Sequence, residues 1–146
     1  MKTASLLVRT LAICSVALAA CATQAQTLPE GHVGVNYSRC DGNYDGWGLH
    51  AWKNPGIPLT GIEWARPMVP TGKGEFGVYW HLPLAGFGSS GNVNYIIHQG
   101  DSKEQGGRDM KFDGKTIKEI WVNSGDRKTY FSLADAQAAR AETPCK

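Results

Sequence analysis

Residues 40–52 read CDGNYDGWGLHAW and join a tight turn to a strand in which aromatic side chains alternate with smaller ones. The dipeptide Asp-Gly occurs at 41–42 and again at 45–46. Glycine supplies the positive φ that tight turns need, and aspartate bonds its own backbone. Successive side chains of a strand point to opposite faces, so His50 and Trp52 share the predicted outer face. The predicted core face consists of Trp47, Leu49 and Ala51.

The turn also matches the opening of a calcium-binding loop, D-x-N-x-D-G. A loop of this kind starting at Asp41 needs a bidentate glutamate at residue 52, where this chain has tryptophan. No helix signal flanks the segment, as a helix–loop–helix calcium site would require. The hexapeptide is therefore interpreted as turn chemistry, and it predicts no metal site.

Outward from this stretch, the chain reads as short strands separated by Gly, Pro and Asx turns. A composition with 18 glycines and few helix-forming runs favours an all-β fold, an antiparallel β-sandwich. One short C-terminal helix is predicted over 134–141, with Ser132 and Asp135 as a variant of the capping box and Pro144 ending it. The other predicted strands cover 33–37, 76–82, 93–98, 117–122 and 129–133.

The N-terminus has the features of a secretory signal peptide, a short basic start and an apolar run of about ten residues at 11–20. Leu-Ala-Ala-Cys at 18–21 resembles the lipobox of bacterial lipoproteins, in which the cysteine, here Cys21, becomes the lipidated first residue. Ordinary cleavage after Ala22 or Ala25 is the alternative. We expect an exported protein, either lipid-anchored in the bacterial cell envelope (periplasm or outer membrane) or secreted. The expected division is a signal peptide at 1–20, a tether at 21–31 and a folded domain at 32–146.

Removing the leader changes the charge balance of the chain. The sequence has 15 basic and 13 acidic residues, and two of the basic ones, Lys2 and Arg9, lie in the leader, which leaves 13 of each. No basic patch then remains to indicate nucleic acid or an anionic membrane surface as a partner.

Four cysteines are present; Cys14 leaves with the leader, and Cys21 is the candidate lipidation site. Cys40 and Cys145 remain in an oxidising compartment, where disulfides persist. We predict that they pair and close a loop of about a hundred residues, which stabilises the fold by up to about 4–5 kcal/mol in the chain-entropy model. The alternative is two free thiols near opposite ends of the folded part.

The outer face of residues 47–52 places an imidazole beside an indole, where a half-buried strand normally carries polar groups. Sugar rings have apolar C–H faces that lie on such a platform, so His50 and Trp52 are candidate carbohydrate-binding residues. The alternative is a second buried layer beneath a loop. Trp121, between two aliphatic residues of a predicted strand, is a further candidate. The remaining tryptophans, Trp47, Trp64 and Trp80, are interpreted as core or structural.

VNYSR at 35–39, followed by DGNYDGWGLHAW at 41–52, resembles the start of the pullulanase-associated domain, carbohydrate-binding module family 41. This resemblance covers residues 32–132 and implies an immunoglobulin-like β-sandwich. It also implies a partner, an α-glucan polysaccharide such as amylose, amylopectin, glycogen or pullulan, or a maltooligosaccharide. The further matching segments are GEFGVYWHLPL at 74–84, VNYIIHQGDSKEQGGRD at 93–109 and KEIWVNSGDRKTY at 118–130.

In that family two aromatic residues, two positions apart, stack against glucose, and a lysine and an aspartate on a later loop hydrogen-bond sugar hydroxyls. The resemblance assigns the stacking to His50 and Trp52 and the hydrogen bonds to Lys103 and Asp109. Two features depart from the family pattern. A histidine stands in place of an aromatic at residue 50, and the loop between the lysine and the aspartate is one residue longer than usual.

No catalytic constellation is present in the sequence. Residues 72–77 match G-x-G-x-x-G, but a dinucleotide fingerprint needs a helix after the glycines, whereas a strand follows here. The four histidines lack metal-ligand spacing. The carboxylates are scattered over loops, whereas glycoside hydrolysis needs two that face each other across a cleft. We therefore predict no catalytic residues, no cofactor and no metal.

Three functional hypotheses remain. The first is a non-catalytic module that binds starch-like α-glucan at the cell envelope, with a separate amylolytic enzyme as a further partner. The second is an envelope protein-interaction lipoprotein on the same fold, suggested by the substitution at His50. The third is a fragment of a pullulanase-type glycoside hydrolase.

Overall fold

A computed structural model describes residues 26–145, which form two β-sheets packed on a shared core and a short helix at the C-terminal end. The predicted β-sandwich with a C-terminal helix is confirmed. The predicted signal peptide at 1–20 and Cys21 lie outside the described residues. In chain order the elements are β1 His32–Ser38, β2 Gly48–Lys53, β3 Ile57–Pro58, β4 Gly72–Lys73, β5 Val78–Pro83, β6 Asn92–Gln99, β7 Ser102–Lys103, β8 Met110–Asp113, β9 Glu119–Asn123 and α1 Leu133–Glu142.

The first sheet has the strand order β4-β5-β1-β9, and the second has the order β3-β2-β6-β7, with β8 also pairing with β6. β1 and β9 are parallel, whereas the other strand pairs among residues 26–145 are antiparallel. The parallel pair departs from the purely antiparallel sandwich that the sequence predicts. It arises because the chain crosses from β8 in the second sheet to β9 in the first, and parallel neighbours need such a crossover.

Alternation along the strands sends one set of side chains from each sheet into the core. In β2 the inward residues Leu49 and Ala51 are fully buried, and Trp47 packs against the same core just before the strand. Trp80 in β5 is also fully buried, and its indole N–H donates to the carbonyl of Met68 at 2.8 Å. The predicted core face of residues 47–51 and the core position of Trp80 are confirmed.

Residues 40–46 form turns, as the Asp-Gly pairs predict. The Asp41 carboxylate accepts the N–H of Asn43, and the Asn43 side-chain oxygen accepts the N–H of Asp45, each at 3.0 Å. Asp41 also forms an ion pair of 2.6 Å with Arg39. Its oxygens are therefore committed to the local backbone and to a guanidinium.

Several elements differ from the prediction. Residues 129–133 form no strand; Tyr130 makes an isolated bridge with Trp121, and the chain then turns into α1 because Ser132 already caps that helix. Conversely, the sequence does not predict β8. Its two inward residues, Met110 and Phe112, span too short a segment to show an alternating pattern.

The helix α1 begins where the capping signal predicts. Ser132 Oγ accepts the N–H of Asp135 at 3.1 Å, which satisfies one of the free donors of the first turn. The side chain of Asn123 in β9 donates to the carbonyl of Ala136 at 2.8 Å and joins the helix to the first sheet.

Cys40 and Cys145 are joined by a disulfide, with Cα atoms 5.3 Å apart. Arg140 of α1 donates to Cys40 Sγ at 3.0 Å and to the carbonyl of Ser124 at 3.1 Å. The C-terminal segment is thereby attached to the turn that precedes β2.

The described chain begins on the outer side of the first sheet. The Gln26 amide donates to Asn36 Oδ1 at 3.0 Å and lies 3.4 Å from His81 Nε2. Asn36 and His81 project outward, because their neighbours Tyr37 and Trp80 belong to the core. Part of the predicted tether therefore contacts the folded domain. Among residues 26–145, no helix combines the length and apolar character needed to span a bilayer.

Candidate functional site

The register of the second sheet places the predicted sugar-contacting residues on one outward surface. His50 in β2 is opposite Ile96 in β6, and Trp52 lies two residues further along β2. On the other side of β6, His98 is opposite Lys103 in β7. Directly opposite residues project from the same face of a sheet. His50, Trp52, His98 and Lys103 therefore share this surface.

Trp64 completes the surface and lies outside the core, so its interpretation as a core residue is wrong. Its side chain is 37% exposed. The indole stacks on His98, with ring centroids 3.9 Å apart and 6° between the planes. The reason is that Trp64 lies in the loop between β3 and β4, and this loop folds back over the outer face. The sequence does contain a signal that Trp64 lies in a loop. The segment EWARP at 63–67 carries two charged residues and a proline and lacks the alternation of a strand.

The loop that carries Trp64 is held by hydrogen bonds at its tip and at its base. At the tip, Glu63 and Arg66 exchange backbone hydrogen bonds of 3.2 and 3.0 Å and form an ion pair of 2.8 Å. At the base, Leu49 of β2 and Met68 exchange two backbone hydrogen bonds of 2.9 Å. The indole is thus presented from a segment that is fixed to the same strand as His50.

Gly48 allows this loop to approach β2. A Cβ atom at Gly48 would stand 2.5 Å from Pro67 Cγ and 3.2 Å from the carbonyl oxygen of Met68. Both distances are shorter than van der Waals contact, so any larger residue would displace the loop. Gly48, the first residue of β2, therefore contributes to the position of Trp64.

We call His50, Trp52, Trp64, His98 and Lys103 the aromatic face. His50 lies at its centre, with its ring centroid 5.7 Å from that of Trp52 and 5.5 Å from that of Trp64. Both His50 and Trp52 are half-buried, and His98 is fully buried beneath Trp64. The face therefore has two layers. The sequence leaves open whether this side of β2 is an exposed platform or a second layer buried beneath a loop. His98 is buried beneath the loop, whereas the indoles of Trp52 and Trp64 remain exposed to solvent.

The environment of His50 favours its neutral form. Burial lowers the pKa of His50 below the ordinary value of 6.5 and the nearby His98 lowers it further, while a hydrogen bond with the backbone of Glu63 acts in the opposite direction. Within the described part of the chain, His50 Nδ1 and His98 Nε2 are buried without a hydrogen-bond partner. His50 thus contributes an uncharged ring between the two indoles at neutral pH.

Lys103 adds a cation to the aromatic face. Its Nζ lies 4.9 Å from the centroid of the Trp64 ring, within the range of a cation–π interaction. Among residues 26–145, no carboxylate forms an ion pair with it. Its N–H donors are therefore available to a ligand oxygen at the edge of the indole.

Asp109 lies at the far end of the loop that follows β7. It is exposed, and its carboxylate has no hydrogen bond or ion pair with other residues of the described range. The next residue, Met110, is opposite Tyr95 and packs against the core. By strand alternation, Asp109 projects from the same outer side as the aromatic face.

Trp121 is not brought together with these residues. It does face away from the core, since its neighbours Ile120 and Val122 are fully buried. However, β9 belongs to the first sheet, where Trp121 is opposite Asn36. The outer faces of a two-sheet sandwich point in opposite directions, so Trp121 cannot contact a sugar ring that lies on Trp52.

The aromatic face offers stacking and hydrogen bonding. It presents two indoles, one neutral imidazole and one ammonium group, and the register of β8 places Asp109 on the same side of the sheet. A pair of carboxylates facing each other across a cleft, which glycoside hydrolysis uses, is not part of this face. In the described range, no group of three or more His, Cys, Asp or Glu side chains could hold a metal ion.

Comparison with known proteins identifies the family of this chain. Residues 31–131 match the family model described as Bacterial pullanase-associated domain. An alpha-amylase of Streptomyces lividans is 40% identical over 70 residues, or 48% of this chain. Pullulanase A of Streptococcus pneumoniae is 31% identical over 110 residues, or 70% of this chain. A solved structure described as alpha-glucan recognition by family 41 carbohydrate-binding modules from streptococcal virulence factors has 26% identity and a TM-score of 0.59 over 74% of this chain.

The region of similarity is a small part of each relative. This chain spans 7% of the length of the amylase, 8% of pullulanase A and 50% of the solved chain. The matched family model is that of an associated domain and not of a catalytic domain. Because that model covers more than half of its residues, the chain belongs to the bacterial pullulanase-associated domain family, carbohydrate-binding module family 41.

Proposed function

We propose that this chain is a non-catalytic module that binds α-glucan through the aromatic face. The observation that carries the proposal is the arrangement of Trp52 and Trp64 on either side of His50, with the Lys103 ammonium over Trp64. Family membership supports the choice of ligand, since a solved member is described as recognising alpha-glucan.

Stacking would supply most of the binding free energy. One indole that covers about 100 Å² of a sugar ring contributes roughly 2.5 kcal/mol. Trp52 and Trp64 offer two such surfaces, and each hydrogen bond from Lys103 or Asp109 adds about 1 kcal/mol. After the cost of association, the expected dissociation constant is on the order of micromolar to millimolar. Such affinity suffices for a polymer because each chain offers many equivalent segments.

Polar groups at the edge of the platform would fix the orientation of the sugar. Hydroxyl groups both donate and accept hydrogen bonds. Lys103 supplies donors, and the Asp109 carboxylate supplies acceptors that are free within the described range. The C–H face of a glucose ring would lie on an indole, while the hydroxyls at the edge of the ring would bond to Lys103 and Asp109.

Substitution of each indole tests the proposal. Trp52→Ala and Trp64→Ala should each weaken maltotriose binding by roughly 60-fold, which corresponds to the loss of about 2.5 kcal/mol of stacking. Titration followed by intrinsic tryptophan fluorescence measures the affinity, and electrophoresis in glycogen gels measures retention on polymer. Phe131→Ala is the matched control, because Phe131 is an exposed aromatic residue (59%) outside the aromatic face.

The outcomes separate the three hypotheses. A wild-type chain that is not retarded by glycogen, or a Trp52→Ala variant retarded as strongly as the wild type, would contradict α-glucan binding at this face. Recovery of one stoichiometric protein partner, unaffected by maltooligosaccharide, would favour the protein-interaction hypothesis. Release of reducing sugar from pullulan by the purified chain would establish catalysis.

We further propose that the chain is exported and held at the cell envelope through a lipid on Cys21, where it retains glucan for a separate amylolytic enzyme. The basis is the small-residue sequence before Cys21. Detergent phase partitioning of the protein from cells should place the wild type in the detergent phase and Cys21→Ala in the aqueous phase. A mature N-terminus after Ala22 or Ala25 would show a secreted protein without the lipid.

A further inference from the structure

Two buried polar residues lie in the exposed loop that joins Lys103 to Asp109. Glu104 is 9% exposed and Gln105 is 2% exposed, whereas the next four residues are exposed. Burial of a carboxylate costs free energy unless the group is paired and hydrogen-bonded. The partners of these two side chains therefore show what the loop is attached to.

Glu104 attaches the start of the loop to β1 and to residues 124–129, which we call the 124–129 loop. One carboxylate oxygen accepts a hydrogen bond from the Tyr37 hydroxyl and lies 3.5 Å from Arg39 Nη1. The other accepts the N–H of Gly125 at 3.0 Å. Burial, reinforced by Glu104, raises the pKa of Tyr37, so the phenol remains a donor at neutral pH. The residue next to Lys103 thus joins three segments.

Gln105 makes a second attachment to the 124–129 loop. Its amide donates to the carbonyl of Lys128 at 3.1 Å and to Thr129 Oγ1 at 2.9 Å. The Thr129 hydroxyl also lies 3.0 Å from the hydroxyl of Tyr95, a core residue. The φ of Gln105 is 53°, which is uncommon for a residue other than glycine. Such a backbone persists only where the surroundings hold it.

The rest of the loop folds back over the base of Lys103. Gly106 and Gly107 have φ values of 71° and 72°, and a Cβ atom at Gly107 would lie 3.7 Å from Lys103 Cδ. Arg108 donates to the carbonyl of Arg127 at 3.2 Å, which attaches the end next to Asp109. Two consecutive glycines give the backbone wide freedom, so the attachments determine where the ends of this loop lie.

We propose that Glu104 and Gln105 are positioning residues, which hold Lys103 and Asp109 at the edge of the aromatic face for hydrogen bonding to the sugar. This inference rests on the proposed function. Polar groups that are ordered before binding lose less conformational entropy when they bind. Glu104 and Gln105 themselves contact the 124–129 loop and act on affinity through the two residues at the ends of their own loop.

Two substitutions release the loop in different ways. Glu104→Ala removes the carboxylate, and Gln105→Gly removes both side-chain hydrogen bonds while glycine accepts a φ of 53° without strain. Each should weaken maltotriose binding about fivefold to tenfold, within the coupling range of contacting residues. Glu104→Gln keeps the shape and an acceptor for Tyr37, but its NH2 group faces the N–H of Gly125, so it should restore only part of the affinity. Thermal unfolding followed by circular dichroism tests whether each variant is folded.

The same substitutions in a Lys103→Ala/Asp109→Ala background separate positioning from a general structural role. The affinity for maltotriose should then change by less than about twofold, because the groups that are positioned have been removed. An equal loss in both backgrounds would overturn the inference, as would wild-type affinity in Gln105→Gly and Glu104→Ala. A wild-type chain that binds neither maltotriose nor glycogen is a separate result, which contradicts the proposed function itself.

Discussion

The ammonium group of Lys103 lies 4.9 Å from the centroid of the Trp64 ring, and such a contact at an exposed site contributes about 0.5–1 kcal/mol. Trp64 in turn stacks on the buried ring of His98. Lysine, indole and imidazole therefore form one column that rises from β6. A substitution at any of the three changes the surface that the other two present.

Stability should fall on acidification because of two histidines. The pKa of His50 and that of His81 are lowered from 6.5, in each case chiefly by burial. The folded state thus binds protons less readily than the unfolded chain, so stability is complete above about pH 6.5 and is lost as the pH falls below it. We expect a lower Tm at pH 5 than at pH 7.5, with a smaller difference in His50→Gln and His81→Gln. Equal Tm values at the two pH values would contradict this.

The sequence predicts the outward position of one indole of the aromatic face, Trp52, but not that of the other, Trp64. Trp52 follows from alternation alone, because its neighbour Ala51 belongs to the core and fixes the direction of the next side chain. Trp64 lies in a loop, where no period relates one residue to the next. Its position depends on the hydrogen bonds between Leu49 and Met68, which are long-range and leave no local pattern.

The loop between β3 and β4 covers part of the outer face of the second sheet, over β6. Both faces of β6 are buried, including Ile96 at 6% and His98 at 0% exposure. The loop reaches this position because Gly48 leaves room for Pro67. The aromatic face is therefore made by a strand, which supplies Trp52, and by a loop, which supplies Trp64.

Gly48→Ala should separate the loop from β2. The added methyl group would meet Pro67 at 2.5 Å, and overpacking of this kind costs about 1–3 kcal/mol. We expect lower stability in urea and weaker maltotriose binding, because Trp64 moves with the loop. Gly114→Ala is the control, since its methyl group would meet Leu84 at 2.6 Å outside the aromatic face. It should lower stability without loss of affinity. Equal effects of the two substitutions on binding would contradict the role of Gly48.

The longer strands are predictable because each alternates over at least five residues, as β1 and β5 do. The strands β3, β4 and β7 have two residues each, too few to show the alternation from which a strand is predicted. The segment 129–133 contains Thr129, Tyr130 and Phe131, residue types that favour strands, but Ser132 caps α1 within it. Here a helix cap overrides the strand propensity. The helix itself is predictable because its signal, a serine three residues before an aspartate, is local.

A disulfide joins Cys40 to Cys145, which are 105 residues apart in the sequence. This link encloses nearly the entire sandwich in one covalent loop. The docking of α1 through Asn123 and Arg140 adds non-covalent contacts at the same end. The unfolded chain is thereby restricted over most of its length.

Removal of the disulfide should lower the free energy of unfolding. Cys40→Ala/Cys145→Ala is expected to lose up to about 4–5 kcal/mol in the chain-entropy model, because the closed loop is long. Urea unfolding of the oxidised wild type, the reduced wild type and the double variant measures the loss. The reduced wild type should resemble the variant, and the variant should not respond to reductant. Equal midpoints for all three would show that the loop contributes nothing.

Gln26 contacts Asn36 and His81 on the outer side of the first sheet, whereas the aromatic face lies on the outer side of the second. Gln26 and the proposed sugar platform are thus on opposite sides of the sandwich. The two sheets between them are about 10 Å apart, and their side chains add to that separation. Gln26 itself therefore lies behind the module when a polymer occupies the proposed platform. A branched, bulky polysaccharide on that platform would meet no steric conflict with Gln26.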